Sequence, residues 1–165
     1  MKILITGSAG FIGFHLARKL SQHHTILGID NLNNYYDQSL KDSRTSILKT
    51  LANFSFTQAD ITDYENLLTI NKNFDPDIII HLAAQAGVRF SVSNPQEYVN
   101  SNLVGHSNIL EIARQLDIKH LFYASSSSVY GNSKKLPYKE SSKELNPESF
   151  YAATKICCEV FTESY

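Results

Sequence analysis

Short apolar runs alternate along the chain with longer stretches whose apolar residues recur at helical spacing. Runs rich in β-branched and aromatic residues fall at Lys2–Thr6, Thr25–Asp30, Phe54–Thr57, Asp77–His81 and Lys119–Ala124. The near-continuous run Ile78-Ile79-Ile80 suits a strand covered on both faces, as in a parallel sheet. Helical spacing covers Phe11–Gln22, Tyr64–Lys72 and Gln96–Leu116, the last with Leu103, Ile109, Leu110, Ile112, Ala113 and Leu116 on its apolar side. The polar segment Asn31–Thr50 opens with turn chemistry at Asn31, Asn33 and Asn34 and predicts a helix over Leu40–Leu51. A final helix is expected to start near Pro147, a residue suited to a first helical turn, and to run to Tyr165. Strands alternating with helices form βαβ units, so the predicted fold class is α/β with a parallel sheet.

The chain has 165 residues, which predicts one domain over residues 1–165, and no repeat or linker divides it. Fifteen Lys and Arg stand against sixteen Asp and Glu, a balance that argues against nucleic-acid or anionic-membrane partners. The only cysteines, Cys157 and Cys158, are adjacent; they fit no metal spacing and no disulfide framework, which suits a reducing compartment. The apolar start Met1–Ile5 breaks at Gly7, too soon for a signal peptide or membrane span, so a cytoplasmic protein is expected. The six histidines are scattered without metal spacing, and no metal is expected.

The first strand runs straight into Thr6-Gly7-Ser8-Ala9-Gly10-Phe11-Ile12-Gly13 and then an amphipathic helix. Glycines at such a turn let the backbone approach a pyrophosphate, whose charge sits on the free N–H groups of the helix start. The spacing is GxxGxxG rather than GxGxxG, so the strand and helix on either side carry much of the signal. The second strand ends at Asp30, where a carboxylate can accept hydrogen bonds from an adenosine ribose and repel a 2′-phosphate; NAD is therefore favoured over NADP.

Tyr151 and Lys155 are four residues apart and share one face of the last predicted helix. A neighbouring ammonium favours the phenolate, and a phenolate can take a proton from a substrate hydroxyl. Ser126, at the carboxyl end of the fifth strand, lies where open α/β sheets place their ligands and can hydrogen-bond the same oxygen. A YxxxK spacing also arises by chance; the order of glycine turn, acid, serine strand end and YxxxK gives it weight.

With these residues in place the chain resembles the extended short-chain dehydrogenase/reductases that act on nucleotide sugars. The resemblance is carried by TGSAGFIG, Asp30, Asp60-Ile61, His81-Leu82-Ala83-Ala84, SSSSVYG and YAATK. DNLNNYYD, HLAAQAGVR and YVNSNLVGH bring it nearest to the UDP-glucuronate 4-epimerases. The resemblance implies a Rossmann-type, doubly wound, three-layer fold with strand order 3-2-1-4-5. It implies NAD as cofactor, with Gly7, Gly10, Phe11, Ile12 and Gly13 at the pyrophosphate. Asp30 and Asn31 would stand at the adenosine ribose, Asp60 and Ile61 at the adenine, and Ala83 and Ala84 along the groove. Tyr151 would be the base, Lys155 would hold the nicotinamide ribose and tune Tyr151, and Ser126 would orient the sugar 4-hydroxyl. Ser128, Arg89 and Asn102 are further candidates for substrate or cofactor contacts.

The implied reaction moves hydride from sugar C4 to NAD, turns the 4-keto sugar in the site, and returns the hydride to its opposite face. Related dehydratases and decarboxylases carry carboxylates just after the catalytic serine; Ser127-Ser128 offers none, which favours epimerisation. The implied partners are a UDP-sugar and a second copy of the chain, through the helices at 96–116 and 147–165. Members of the family are longer, so the domain that grips the nucleotide sugar is expected to be absent from a chain ending at Tyr165. Two alternatives stand: a non-catalytic NAD-binding module, and another nucleotide-sugar dehydratase or reductase.

Overall fold

The computed structural model describes residues 1–141 and 146–165, which form a five-stranded parallel sheet in the order β3-β2-β1-β4-β5. The strands are β1 (Lys2–Thr6), β2 (Thr25–Asp30), β3 (Phe54–Gln58), β4 (Ile78–His81) and β5 (His120–Tyr123). The first two have the bounds that the apolar pattern predicts. Strand β1 lies at the centre: Ile3 pairs with Ile26 on one side and Ile78 on the other, and Thr6 with Ile29 and His81. The carboxyl ends of β2, β1 and β4 therefore lie side by side.

Side chains alternate across the sheet and build a core on each face. Leu4, Leu27, Ile29 and Ile79 pack with Leu67 of helix α3 (Tyr64–Phe74) and with Ile109 and Ile112 of helix α6 (Gly105–Gln115). On the other face Ile3, Ile5 and Ile26 meet Phe14 and Ala17 of helix α1 (Phe11–Leu20) and Leu48 of helix α2 (Gln38–Lys49). Burying an isoleucine or leucine completely contributes about 1.5–3 kcal/mol, so these two layers supply the main driving force for the sheet. The three-layer, doubly wound architecture is the one expected from the sequence. No helix among the described residues is long and apolar enough to cross a membrane.

Four elements depart from the pattern. The expected helix over 96–116 is a continuous helical run from Pro95 to Gln115 containing a wide turn. It comprises α5 (Pro95–Tyr98), a π-helical stretch Val99–Val104 and α6, and the Gly105 N–H donates to Asn100 O. A π turn inserts an extra residue per turn and re-aims the side chains around it; here Asn102 lies within it. The last helix, α7 (Phe150–Ser164), starts three residues after Pro147, because the Ser149 side chain caps it by accepting the Ala152 N–H at 3.0 Å. Finally, helix α4 (Val88–Ser93) and the 3₁₀ turn Ser127–Tyr130 occupy stretches with no helical period in the sequence.

Candidate functional site

At the end of β1 the backbone turns through Gly7, whose φ of 72° favours glycine. The Gly7 N–H donates to Ile29 O at 2.7 Å and the Gly10 N–H to Gly7 O at 3.0 Å. A Cβ on Gly7 would stand 2.7 Å from the Ala83 nitrogen, and one on Gly13 would collide with Gly7 O. The glycines thus bring α1 against β1 and leave the turn open above. Gly10 caps helix α1 without a side-chain hydrogen bond, so the first N–H groups of the helix have no side-chain partner. That cradle fits a diphosphate: backbone donors, the helix dipole, and no Cβ in the way. Gly7 and Gly10 line the groove, while Phe11 and Ile12 flank it with two-thirds of their surface exposed.

Asp30 ends β2 beside this cradle. Its Oδ2 accepts the Ala9 N–H at 3.1 Å and its Oδ1 the Leu32 N–H at 2.9 Å, which fixes the carboxylate against the turn. Lys41 of α2 brings a buried ammonium to 3.8 Å from Asp30 Oδ1 and donates to Asn33 O and Oδ1. Burial pushes the Lys41 pKa down, and the attraction of Asp30 opposes it. Asn31 lines the groove and donates to Asp60 Oδ2 at 2.8 Å. Asp60 is not among the lining side chains. Burial alone would raise its pKa, but hydrogen bonds from Asn31 and Thr62 hold it below the ordinary carboxylate value. Asp60 and Asn31 are thus held together, and Ile61 forms part of the wall.

The opposite wall is the segment after β4: Leu82, Ala83, Ala84 and Gln85. Thr6 Oγ1 accepts the Leu82 and Ala83 N–H groups at 3.2 and 3.1 Å and lies 2.7 Å from His81 Nδ1. Gln85 is clamped at both backbone groups, its N–H donating to Asn102 Oδ1 and its carbonyl accepting from Asn102 Nδ2. Asn102 also donates to Thr154 Oγ1 of α7, and the Cys158 thiol, pushed up to about 11 by burial, donates to Asn102 O.

Helix α7 carries Tyr151 and Lys155. The Tyr151 N–H meets Ser91 Oγ of α4 at 3.3 Å, and its ring stands edge-on to Tyr98, centroids 6.0 Å apart. Lys155 is buried, with its Nζ 3.0 Å from the carbonyl oxygen of Ala124, just past the end of β5. Burial lowers its pKa, and the nearby Cys158 opposes that shift. Two residues on, Ser126 caps the 3₁₀ turn by accepting the Ser128 N–H and donates to Ser128 Oγ at 3.1 Å. Asn102 joins the groove wall at Gln85 to α7, the helix that carries Tyr151 and Lys155. Arg89 is exposed on α4. Thr6, Lys41, Gln85, Ser91 and Tyr98 hold the site together without having stood out in the sequence. A threonine just before the first glycine is a readable signal for the first; nothing in the spacing singles out Lys41.

Residues 4–165 match the sequence model of the family described as GDP-mannose 4,6 dehydratase. The chain is 47% identical over 168 residues to the CapI protein of Staphylococcus aureus, covering 100% of this chain and 49% of that one. It is 45% identical over 166 residues to a Rhizobium meliloti (strain 1021) protein named "Probable UDP-glucuronate 4-epimerase", again covering 100% and 49%. Among solved structures, the UDP-glucuronic acid 4-epimerase of Bacillus cereus in complex with UDP-glucuronic acid and NAD superposes with a TM-score of 0.86 at 34% identity. That match covers 100% of this chain and 52% of that one. The chain spans about half the length of the curated relatives it matches.

Proposed function

The chain belongs to that family, within the extended short-chain dehydrogenase/reductases, and from this premise we propose that it is the NAD-binding and catalytic part of a UDP-sugar 4-epimerase acting on UDP-glucuronate. The observation that carries the reading is the placement of Lys155: its ammonium is held by Ala124 O at the strand end leading to Ser126, on the helix face it shares with Tyr151. The uncapped start of α1 and the Asp30 carboxylate supply the complementary features for a dinucleotide.

The roles follow from the side chains. Gly7, Gly10 and Gly13 admit the pyrophosphate, with Phe11 and Ile12 beside it. Asp30, braced by Ala9, accepts from the adenosine ribose; Asn31 borders the same end, and Asp60 with Ile61 meets the adenine. Ala83 and Ala84 leave room along the groove. The bound nicotinamide supplies a hydride acceptor for sugar C4 and later the donor. Tyr151 takes the proton of the 4-hydroxyl, Lys155 on the same helix face binds the nicotinamide ribose, and Ser126 hydrogen-bonds the same sugar oxygen. Ser128 and Arg89 contact the substrate. Ser127 and Ser128 provide no carboxylate for elimination, which supports epimerisation. The expected setting is the cytoplasm, consistent with two free thiols, and a homodimer through the 95–115 helical run and α7, where Val104 and Val160 are exposed.

The test is turnover. The full-length protein with NAD is expected to convert UDP-glucuronate to UDP-galacturonate, and Tyr151→Phe to remove that activity. NAD binding without turnover of any UDP-sugar would replace this reading with a non-catalytic binding module.

A further inference from the structure

Strands β2 and β4 lie on either side of β1, so any contact between the loop after β2 and the loop after β4 must pass over the carboxyl end of β1. That is where Gly7–Gly10 form the diphosphate cradle. Such a contact exists. The Tyr35 ring, from the loop after β2, packs on the Phe90 ring of α4 with centroids 5.0 Å apart and planes tilted by 56°. Its hydroxyl occupies the space that a Cβ on Gly87 would take, and Gly87 has a φ of 95°. Tyr35 also lines the groove itself.

The two ends of this crossing are built differently. On the near side the loop is pinned: Arg44 Nη1 donates to Ala9 O at 3.2 Å and to the Tyr36 hydroxyl at 3.1 Å, and Lys41 Nζ sits 4.9 Å above the Tyr36 ring. On the far side, Tyr98 is fully buried and its hydroxyl donates to Ala86 O and Gly87 O, making the segment before α4 a fixed post. Tyr35 is the more exposed member of the crossing. It is 39% exposed and meets the post through its ring contact with Phe90 and a hydroxyl contact with Tyr98, whereas Tyr36 next to it is held by Arg44.

We propose that Tyr35 is a latch: docked on Gly87 and Phe90 it closes the 31–37 loop over the cradle, and a dinucleotide enters or leaves only when it swings away. This rests on the reading of the groove as an NAD site. It also fits the reaction proposed there, because a hydride lent by the sugar must return to it from the same cofactor molecule. Exchange of the reduced cofactor between the two half-reactions would strand the keto sugar.

A latch and a simple cofactor contact differ in kinetics. A latch slows entry and exit together, whereas a contact slows exit alone. The experiment is stopped-flow fluorescence of NADH binding, and its displacement by excess NAD, in the protein and in Tyr35→Ala and Phe90→Ala. In the unsubstituted protein the association rate is expected to level off with rising NADH, at the rate of latch opening. In both variants association and release are expected to be about tenfold faster, the scale of losing one aromatic pair, with the dissociation constant little changed. Phe90 does not line the groove, so its variant cannot act through a lost cofactor contact. Circular dichroism and the Tyr35→Phe variant, which keeps the ring pair and loses only the hydroxyl contact at Gly87 and Tyr98, separate latch loss from misfolding. Association linear in NADH and unaltered in both alanine variants would overturn the latch, as would faster release without faster association. Failure of the unsubstituted protein to bind NADH at millimolar concentration would overturn the site reading itself.

Discussion

Asn102 Nδ2 donates to Thr154 Oγ1 at 3.0 Å, and the same amide group clamps the backbone of Gln85. One buried side chain therefore ties the groove wall after β4 to the helix that carries Tyr151 and Lys155. Thr154 Oγ1 passes the link on by donating to Tyr151 O at 2.8 Å.

Removing that tie should separate binding from chemistry. Asn102→Ala leaves the Gln85 N–H without its acceptor, which costs about 1–3 kcal/mol of stability. Because α7 loses its register against the wall, kcat is expected to fall about tenfold to a hundredfold. NADH affinity should change much less. Steady-state kinetics beside NADH titration checks this; an unchanged kcat would remove Asn102 from any role in positioning Tyr151.

The glycines make an ordered prediction. Gly13→Ala places a Cβ against Gly7 O with backbone on both sides, whereas Gly10→Ala meets the same oxygen at 3.1 Å. Gly13→Ala is expected to lose about 1–3 kcal/mol or more, together with NADH binding. Gly10→Ala should be milder in both. Thermal unfolding and NADH titration of the two variants would show the order, and a reversed order would contradict the packing role given to Gly13.

Acid should destabilise the fold through two buried histidines. His81 and His106 stack with ring centroids 5.4 Å apart, and His106 Nε2 lies 3.0 Å from Thr162 Oγ1. Burial drives His81 well below its ordinary value, helped by His106 and Lys155, and lowers His106 to about 4. The folded pKa lies below the unfolded one, so between them the unfolded chain binds more protons. Stability is then full above about pH 6.5 and declines as pH falls toward 4, by up to about 3 kcal/mol for His106. Urea unfolding from pH 7 to pH 4 should show this slope. His106→Gln, which stays neutral, should flatten it, and an unchanged slope would sink the assignment.

Most of the sheet is legible in the sequence because β1 and β2 are near-continuous apolar runs cut off by residues with other tasks, Gly7 and Asp30. The glycine turn is legible for the same reason. What the sequence hides is set by long-range hydrogen bonds. The start of α7 belongs to Ser149 and not Pro147, because a side-chain cap decides it. The VRFSVS stretch has no helical period, yet it forms α4, with Ser91 buried against the Tyr151 N–H. Lys41 is eleven residues beyond Asp30 with no spacing to link them, and only the turn of α2 toward the groove brings them together. The pairing of Asn31 with Asp60, twenty-nine residues apart, is likewise invisible in the sequence. The π turn around Asn102 also leaves no trace in an otherwise ordinary helical pattern.

In the proposed reaction hydride leaves sugar C4 and returns to the same carbon while Tyr151 and Ser126 hold its oxygen. The most direct measurement is NMR of the product formed from UDP-glucuronate carrying deuterium at C4, in ordinary water with NAD. Retention of deuterium at C4 in UDP-galacturonate is the predicted result. Loss of that deuterium to solvent during inversion would contradict the account.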